Sequence, residues 1–349
     1  MKNIFLSSIL LMFFLSSCLV SMHLTPMDHF DKTPHLMLKC SRDVNLEDYD
    51  ILKPFSVLKC NQSIIFQDFS DKKSLIKIAT NDFKTISGGV SEGDGPLDVL
   101  GAFSIMEIDG SVLINDWNHR KFLSLSLDSL NVLNVVENKL DIDLSLNSVP
   151  VSGGRFIVVG GYNDSVFFRY IDVDSGTTLS EEPYPYDEVL SDYGSFSQTS
   201  VYYNTKFTVS PDKRKYAWGV NYTQKMGFGS ISDDRLISDV VLSYSPLNIG
   251  TITSDGVIIP SDDSKRNIIT CASTNKYVFF LYWGSDYGDM RNVYSKDILV
   301  YTWDGIPYKH LKVAENLYDI KYDVKTNSLY GISYEPDAHY VEYSLNGIL

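Results

Sequence analysis

Asn275-Lys276-Tyr277-Val278-Phe279-Phe280-Leu281-Tyr282-Trp283 decides the reading of this 349-residue chain: a short polar turn leads straight into an aromatic and β-branched run. Polar two-residue turns punctuate strands, and Tyr, Phe and Val pack well on a pleated surface. The same pattern recurs along the chain. Asn61-Gln62 precedes residues 63–69, Asp109-Gly110 precedes 111–117, Gly153-Gly154 precedes 155–160, Asp212-Lys213 precedes 215–221 and Asn327-Ser328 precedes 329–334. Turn anchors repeating at roughly 44 to 63 residues signal a radial repeat. The expected fold class is therefore all-β, a six-bladed β-propeller.

The end of the chain sharpens this expectation. Residues 317–323, 329–334 and 340–345 read as three antiparallel strands, and the chain then stops at Leu349. A blade wants four strands, because an unpaired outer edge is a liability. The apolar run 35–40 precedes the first blade without a partner of its own, so it is expected to close the ring as an N-terminal strand against 340–345. No segment carries a sustained helical period, and long helices are not expected.

The N-terminus reads as a bacterial export signal: Lys2, an apolar stretch from Ile4 to Leu15, then Leu15-Ser16-Ser17-Cys18. That stretch is too short for a permanent membrane span. Leu-Ser-Ser-Cys resembles the lipobox of bacterial lipoproteins, which implies cleavage after Ser17 and acylation of the Cys18 thiol. Residues 1–17 are then signal peptide, 18–34 a lipidated tether, and 35–349 the propeller. Residues following Cys18 are not acidic, so the expected place is the outer membrane, facing the periplasm.

Composition narrows the partners. Loss of residues 1–17 removes one lysine and moves the net charge from −14 to −15. Nucleic acid and anionic membrane surfaces both require clustered Lys and Arg, so neither is an expected partner. Cys40, Cys60 and Cys271 form an odd set with no C-x-x-C pair. A Cys40–Cys60 bridge is conceivable, and buried thiols packing as small hydrophobes are the plainer reading.

The stretch Gly88-Gly89-Val90-Ser91-Glu92-Gly93-Asp94-Gly95-Pro96, followed by 103–108, Asp109-Gly110 and Asn115-Asp116-Trp117-Asn118-His119-Arg120, is similar to NHL-type repeats. The chain from 35 to 349 more closely resembles the TolB-like six-bladed propeller lipoproteins of Bacteroides-type bacteria. The resemblance implies the fold and an exported lipoprotein, and it carries over no catalytic residue. Blades three and four depart from it, lacking a second Asp-x-x-Asn-x-Arg.

Asp116, Asn118, His119 and Arg120 fall in a turn that Asp and Asn side chains commonly fix by bonding to backbone N–H groups. His119 and Arg120 could instead face a ligand at the rim. Asp233-Asp234, Asp262-Asp263 and Asp286/Asp289 lack the alternating carboxylates that calcium needs. No G-x-S-x-G elbow or phosphate loop is present. The expected function is a lipid-anchored envelope binding module with no cofactor and no metal, a monomer recognising a protein or glycan. A saccharide hydrolase or lyase using carboxylates around the channel is the alternative.

Two segments, 222–236 and 283–297, read as long loops joining second to third strands. Strand alternation puts them on one face with the connections 86–101 and 181–200, the latter carrying Tyr184, Tyr186 and Tyr193. Aromatics with Arg make interface anchors and carbohydrate platforms. Tyr222, Trp283, Tyr287 and Arg291, with His119 and Arg120, are the expected partner-binding residues. Mutual packing as a cap is the competing reading.

Overall fold

The computed structural model describes residues 25–30, 34–100, 103–108, 110–125, 127, 138–139, 147–152, 154–160, 165–187, 190, 195–202, 204–289, 293–334 and 336–349. Cys18, Arg291 and Tyr193 lie outside the described residues. The N-terminal strands are Leu36–Met37 (β1) and Cys40–Asn45 (β2). Three four-stranded antiparallel sheets follow: Pro54–Cys60, Ser63–Asp68, Ile76–Thr80 and Ile86–Gly89 (β3–β6); Ser104–Ile108, Ser111–Asp116, Lys121–Leu125 and Asn138–Lys139 (β7–β10); Ser148–Ser152, Arg155–Val159, Val166–Asp172 and Thr177–Pro183 (β11–β14). The helix Ser195–Tyr202 (α1) leads into a fourth sheet, Lys206–Val209, Lys215–Gly219, Lys225–Ser232 and Arg235–Ser243 (β15–β18). A two-stranded hairpin, Ile249–Ile252 and Ile258–Pro260 (β19, β20), stands apart from it.

The remaining strands form one eight-stranded sheet: Ile268–Ser273, Tyr277–Tyr282, Ser295–Thr302, Pro307–Asp323, Ser328–Tyr334 and Ala338–Ser344 (β21–β26), joined by β1 and β2. Its 17-residue strand β24 changes partners midway, pairing with β23 up to Leu317, with a register shift after Lys312, and with β25 from Leu317 onward. The first strands of the sheets stand side by side in the order β3, β7, β11, β15, β21, the second half of β24, and again β3. Sheets radiating from such a closed ring of innermost strands make a β-propeller.

Burial follows radial position. The second strands are the most enclosed: β4 is buried along its whole length, as β22 and β25 nearly are. The outer strands β14 and β18 are largely exposed. Apolar groups on neighbouring sheets interdigitate, as where Val112, Ile114 and Leu123 of one sheet meet Ile65, Ile76 and Ile78 of the next. The repeating polar turns lie directly before the second strands. At Asn61, Gly110, Gly154, Lys213 and Asn327 the backbone is left-handed, with φ between 48° and 79°, the region Gly and Asn enter most readily.

Closure by an N-terminal strand is present, one segment later than the sequence suggested. Cys40–Asn45, rather than the apolar run 35–40, pairs antiparallel with β26, from Cys40 opposite Tyr343 to Asn45 opposite His339. Leu36 and Met37 instead run parallel to Leu311 and Lys312 on the outside of β24. An outermost strand buries only one face, so Ser41, Arg42 and Asp43 serve it well and an apolar criterion passes over it.

Part of the expected tether is also packed. Pro26–His29 is a 3-10 turn, and Phe30 is 1% exposed, edge-on to Tyr301 at 5.3 Å and near His310 at 6.2 Å. Phe30→Ala should lower unfolding stability by about 3–5 kcal/mol, the cost of emptying a buried aromatic site, whereas removing residues 1–24 should leave it unchanged. Urea denaturation measures both, and an unaltered midpoint for Phe30→Ala would return residues 25–30 to the tether.

Candidate functional site

The innermost strands surround a cavity of about 520 Å³. Each contributes residues near its start: Phe55 and Ser56, Ser104 and Ile105, Ser148 and Val149, Lys206 and Phe207, Ile269 and Thr270, and Tyr318 with Asp319 and Lys321. Ends of second strands add Gln67, Asn221, Tyr222 and Trp283. Starts of first strands and ends of second strands meet at one face, so the cavity sits where the sequence placed the long connections.

Asp319 is the one carboxylate among the described lining residues, 6% exposed and heavily engaged. One oxygen accepts from the Thr270 hydroxyl at 3.1 Å and lies 3.5 Å from Lys321 Nζ; the other accepts from Val57 N at 3.4 Å and the Ser56 hydroxyl at 3.5 Å. A register shift between Leu317 and Asp319 marks a bulge here, a device that re-aims side chains. Opposite it, Gly331 leaves no room for a Cβ, which would stand 1.9 Å from the Asp319 carbonyl oxygen.

Lys206 enters the cavity from β15. Its ammonium donates to the neutral Asn147 Oδ1 at 3.5 Å, and no carboxylate among the described residues lies within ion-pair distance of it. Burial pushes its pKa down, Lys321 pushes it the same way, and Asp319 opposes them weakly. On the neighbouring wall Arg266 is 5% exposed, its guanidinium 4.3 Å from the Trp283 ring and 4.8 Å from the Tyr287 ring, with Nη2 donating to Tyr287 O at 2.9 Å. Tyr222 meets Tyr287 edge-on at 5.7 Å and its hydroxyl accepts from Asn204 at 3.1 Å. Burial pushes the Tyr318 phenol up to about 12, so it stays a neutral hydrogen-bonding group at ordinary pH.

Of the residues singled out from sequence, Trp283 and Tyr222 line the cavity and Tyr287 stands behind them, all half-buried. The cation among them is Arg266, which sequence reading passed over because it precedes a buried strand without any motif. His119 and Arg120 lie on the same face without lining the cavity. His119 Nδ1 is 2.7 Å from Asp116 and Nε2 3.3 Å from Asp94, while Lys121 Nζ donates to the carbonyls of Gly95 and Pro96. The Gly-rich loop and the Asp-Trp-Asn-His-Arg turn thus hold each other in place. Arg120 is exposed at φ 52°.

Residues 222–236, read from sequence as a long loop, are a tight turn followed by β17 and the start of β18. Gly227 and Gly229 suggested a loop, yet they serve a strand: Cβ atoms there would stand 2.3 Å from the Trp218 ring and 2.4 Å from Tyr216. Tyr184 packs half-buried against the core, stacked on Phe167 at 5.6 Å, and Tyr186 is exposed. Cys40, Cys60 and Cys271 are free thiols. Burial pushes the Cys60 and Cys271 thiols up to about 11 and about 12, so neither is a ready nucleophile. Among the described residues no group of three or more His, Cys, Asp or Glu could hold a metal ion, and no helix is long and apolar enough to cross a membrane.

No family model matches the chain, and no curated protein matches it in sequence. Solved structures do share its fold. A protein of Bacteroides fragilis described as exported superposes with a TM-score of 0.51 at 11% identity, over 89% of this chain and 99% of the other. A member of the DUF4221 family from Bacteroides vulgatus does so with a TM-score of 0.50 at 10% identity, over 88% and 97%. The β-propeller domain of Cps50 (Swd1) from Myceliophteria thermophila gives 0.45 at 10%, over 87% and 99%. At such identities the likeness is one of fold.

The lowered pKa of Lys206 has a definite sign in stability. Between its folded value and the 10.5 of an unburied lysine, the unfolded chain holds more protons than the folded one, so stability rises with pH through that window. Lys206→Met should therefore raise the urea midpoint at neutral pH, by a margin that shrinks as pH climbs toward 10.5. A midpoint below wild type across that range would show that the ammonium stabilises the ring. Gly331→Ala should lower stability by about 2 kcal/mol through overpacking against Asp319, and an unchanged midpoint would remove the close approach as a constraint.

Proposed function

We propose that this chain is a lipid-anchored binding module of the bacterial envelope, a six-bladed propeller that presents its cavity face to a protein or glycan partner. The lining of the cavity carries the reading. Aromatic rings, neutral hydrogen-bonding groups and cations surround it, while its described carboxylate is already engaged by four partners. A concave site with apolar walls and a few convergent polar groups is built to hold a ligand. A hydrolase or lyase of the paired-carboxylate kind would want two carboxylates about 5–10 Å apart, and the described lining offers Asp319 alone.

Counting the eight-stranded sheet as two blades that share β24 supports six blades, one for each turn anchor. The likeness to TolB-like lipoproteins covers roughly residues 35–349 and rests on the Gly-rich loop 93–96 and on the last blades, 297–305, 309–313, 318–323 and 329–330. Leu15-Ser16-Ser17-Cys18, together with a fold neighbour described as exported, supports an outer-membrane lipoprotein, and the lack of acidic residues directly after Cys18 supports the periplasmic face. A net charge of −14 argues against nucleic acid.

Two measurements test these readings. Cys18→Ala should move the protein from the membrane to the soluble fraction, and palmitate labelling of that variant would refute the anchor. Soluble glycan and protein fractions of the envelope should change the tryptophan emission of the wild-type domain. The change should vanish in Trp283→Phe, whose ring stands at the cavity wall. An equal response in the variant, or no response to any fraction, would displace binding from the cavity.

A further inference from the structure

We infer that the ligand of this cavity is an acidic sugar, a hexuronate unit whose carboxylate sits between Lys206 and Lys321. The inference rests on the cavity being the binding site proposed above. Charge is the first argument. The chain has 44 acidic residues against 30 basic ones, yet the described lining reverses that balance, with Lys206, Lys321 and Arg266 facing one carboxylate. The focused field of a concave site recruits ligands of the opposite sign.

The three cations are not equally free to act. Arg266 is held between Trp283 and Tyr287 and bonded to a backbone carbonyl, so it forms part of the wall. Lys321 leans on Asp319 at 3.5 Å, but Asp319 divides itself among several donors. Among the described residues, Lys206 has a neutral amide at 3.5 Å and no carboxylate within ion-pair distance. Burial raises the cost of charging Lys206, and the nearby Lys321 ammonium adds to it. A carboxylate between them removes the repulsion and supplies the missing charge partner; Lys supports this as a mobile point charge.

The rest of the lining argues for a sugar behind the acid. Flat rings from Trp283, Tyr222 and Tyr318 suit the C–H faces of a pyranose, while Ser104, Ser148 and Asn204 are neutral partners for hydroxyls. A volume of about 520 Å³ lies in the range of small-molecule pockets and suits a sugar residue or two. An extended acidic peptide would need a groove, whereas this space is ringed by strands on every side.

Calorimetric titration of the intact domain decides the matter, with galacturonate, glucuronate, their neutral methyl esters, galactose, acetate and inorganic phosphate as probes, and an acidic peptide in parallel. A hexuronate should bind at least about tenfold more tightly than its methyl ester, and its affinity should fall as salt rises from about 50 to about 500 mM. Lys206→Met and Lys321→Met should each weaken it about tenfold or more, while Lys206→Arg retains most of the affinity. Melting curves of each variant separate lost binding from lost folding.

Methyl esters or galactose binding as tightly as the acids would overturn the anion assignment and leave the cavity as a sugar site. Acetate, phosphate or the peptide matching the hexuronates would overturn the sugar assignment. Silence from every probe at about 10 mM would overturn this inference, while the Trp283-dependent response to envelope fractions separately decides whether the cavity binds anything.

Discussion

A ring of sheets must end where it began, and the antiparallel pairing of β2 with β26 is the joint on which the rest depends. Leaving β26 unpaired would expose a strand edge, the group of atoms most prone to pair with another chain. The joint is reinforced where the first sheet meets the last. Lys59 of β3 lies 3.2 Å from Asp323 and 3.1 Å from Glu342, with its ammonium 5.0 Å from the Tyr330 ring. Arg42 of the closing strand adds a 3.3 Å contact to Glu342. Ion pairs on an open surface contribute little. These are largely enclosed, so their main effect is on register: a slip of β2 would draw Arg42 away from Glu342, whose carboxylate Lys59 also holds, in a poorly solvated seam.

Closure sets the geometry of the cavity. The innermost strands are held at the spacing that neighbouring sheets dictate, and their first residues are brought together by that spacing alone. The second strands take up the apolar burden, with β4 and β25 buried almost throughout, which leaves the first strands free to carry Ser, Asn, Lys and Asp. The cavity combines two repelling ammoniums, a bulge at Asp319 and a Gly at the one place where the bulge needs it. Concentrating such locally unfavourable features at one site is typical of a functional surface carried by a stable scaffold.

The face around the cavity joins the two readings that sequence left open for its aromatics. Trp283, Tyr287 and Tyr222 pack against one another and grip Arg266, yet Trp283 and Tyr222 still face the cavity. Mutual packing fixes their rotamers, which lowers the entropy lost when a ligand settles on them. His119 illustrates the opposite case. Its ring partners Asp116 and Asp94 make it a latch between a loop and a turn, and Asp116 also accepts from the His119 backbone N–H, the turn-fixing bond expected of an Asp there.

Sequence alone determined what depends on neighbours along the chain. Turn residues able to take positive φ, followed by aromatic and β-branched runs, located the second strands and hence the all-β, radial architecture; strand alternation put the connections entering first strands and leaving second strands on one face, and the cavity itself was not legible. It misjudged β17, because glycines that admit the rings of Trp218 and Tyr216 look like loop glycines until those rings are in place. It also set the closing strand one segment early and missed the burial of Phe30, since both depend on what the far end of the chain supplies. Lys206, Arg266, Asp319 and Lys321 are spread over 115 residues without a shared motif. Only ring closure brings them to one cavity, because their proximity is a property of how sheets pack around an axis and not of any stretch of sequence.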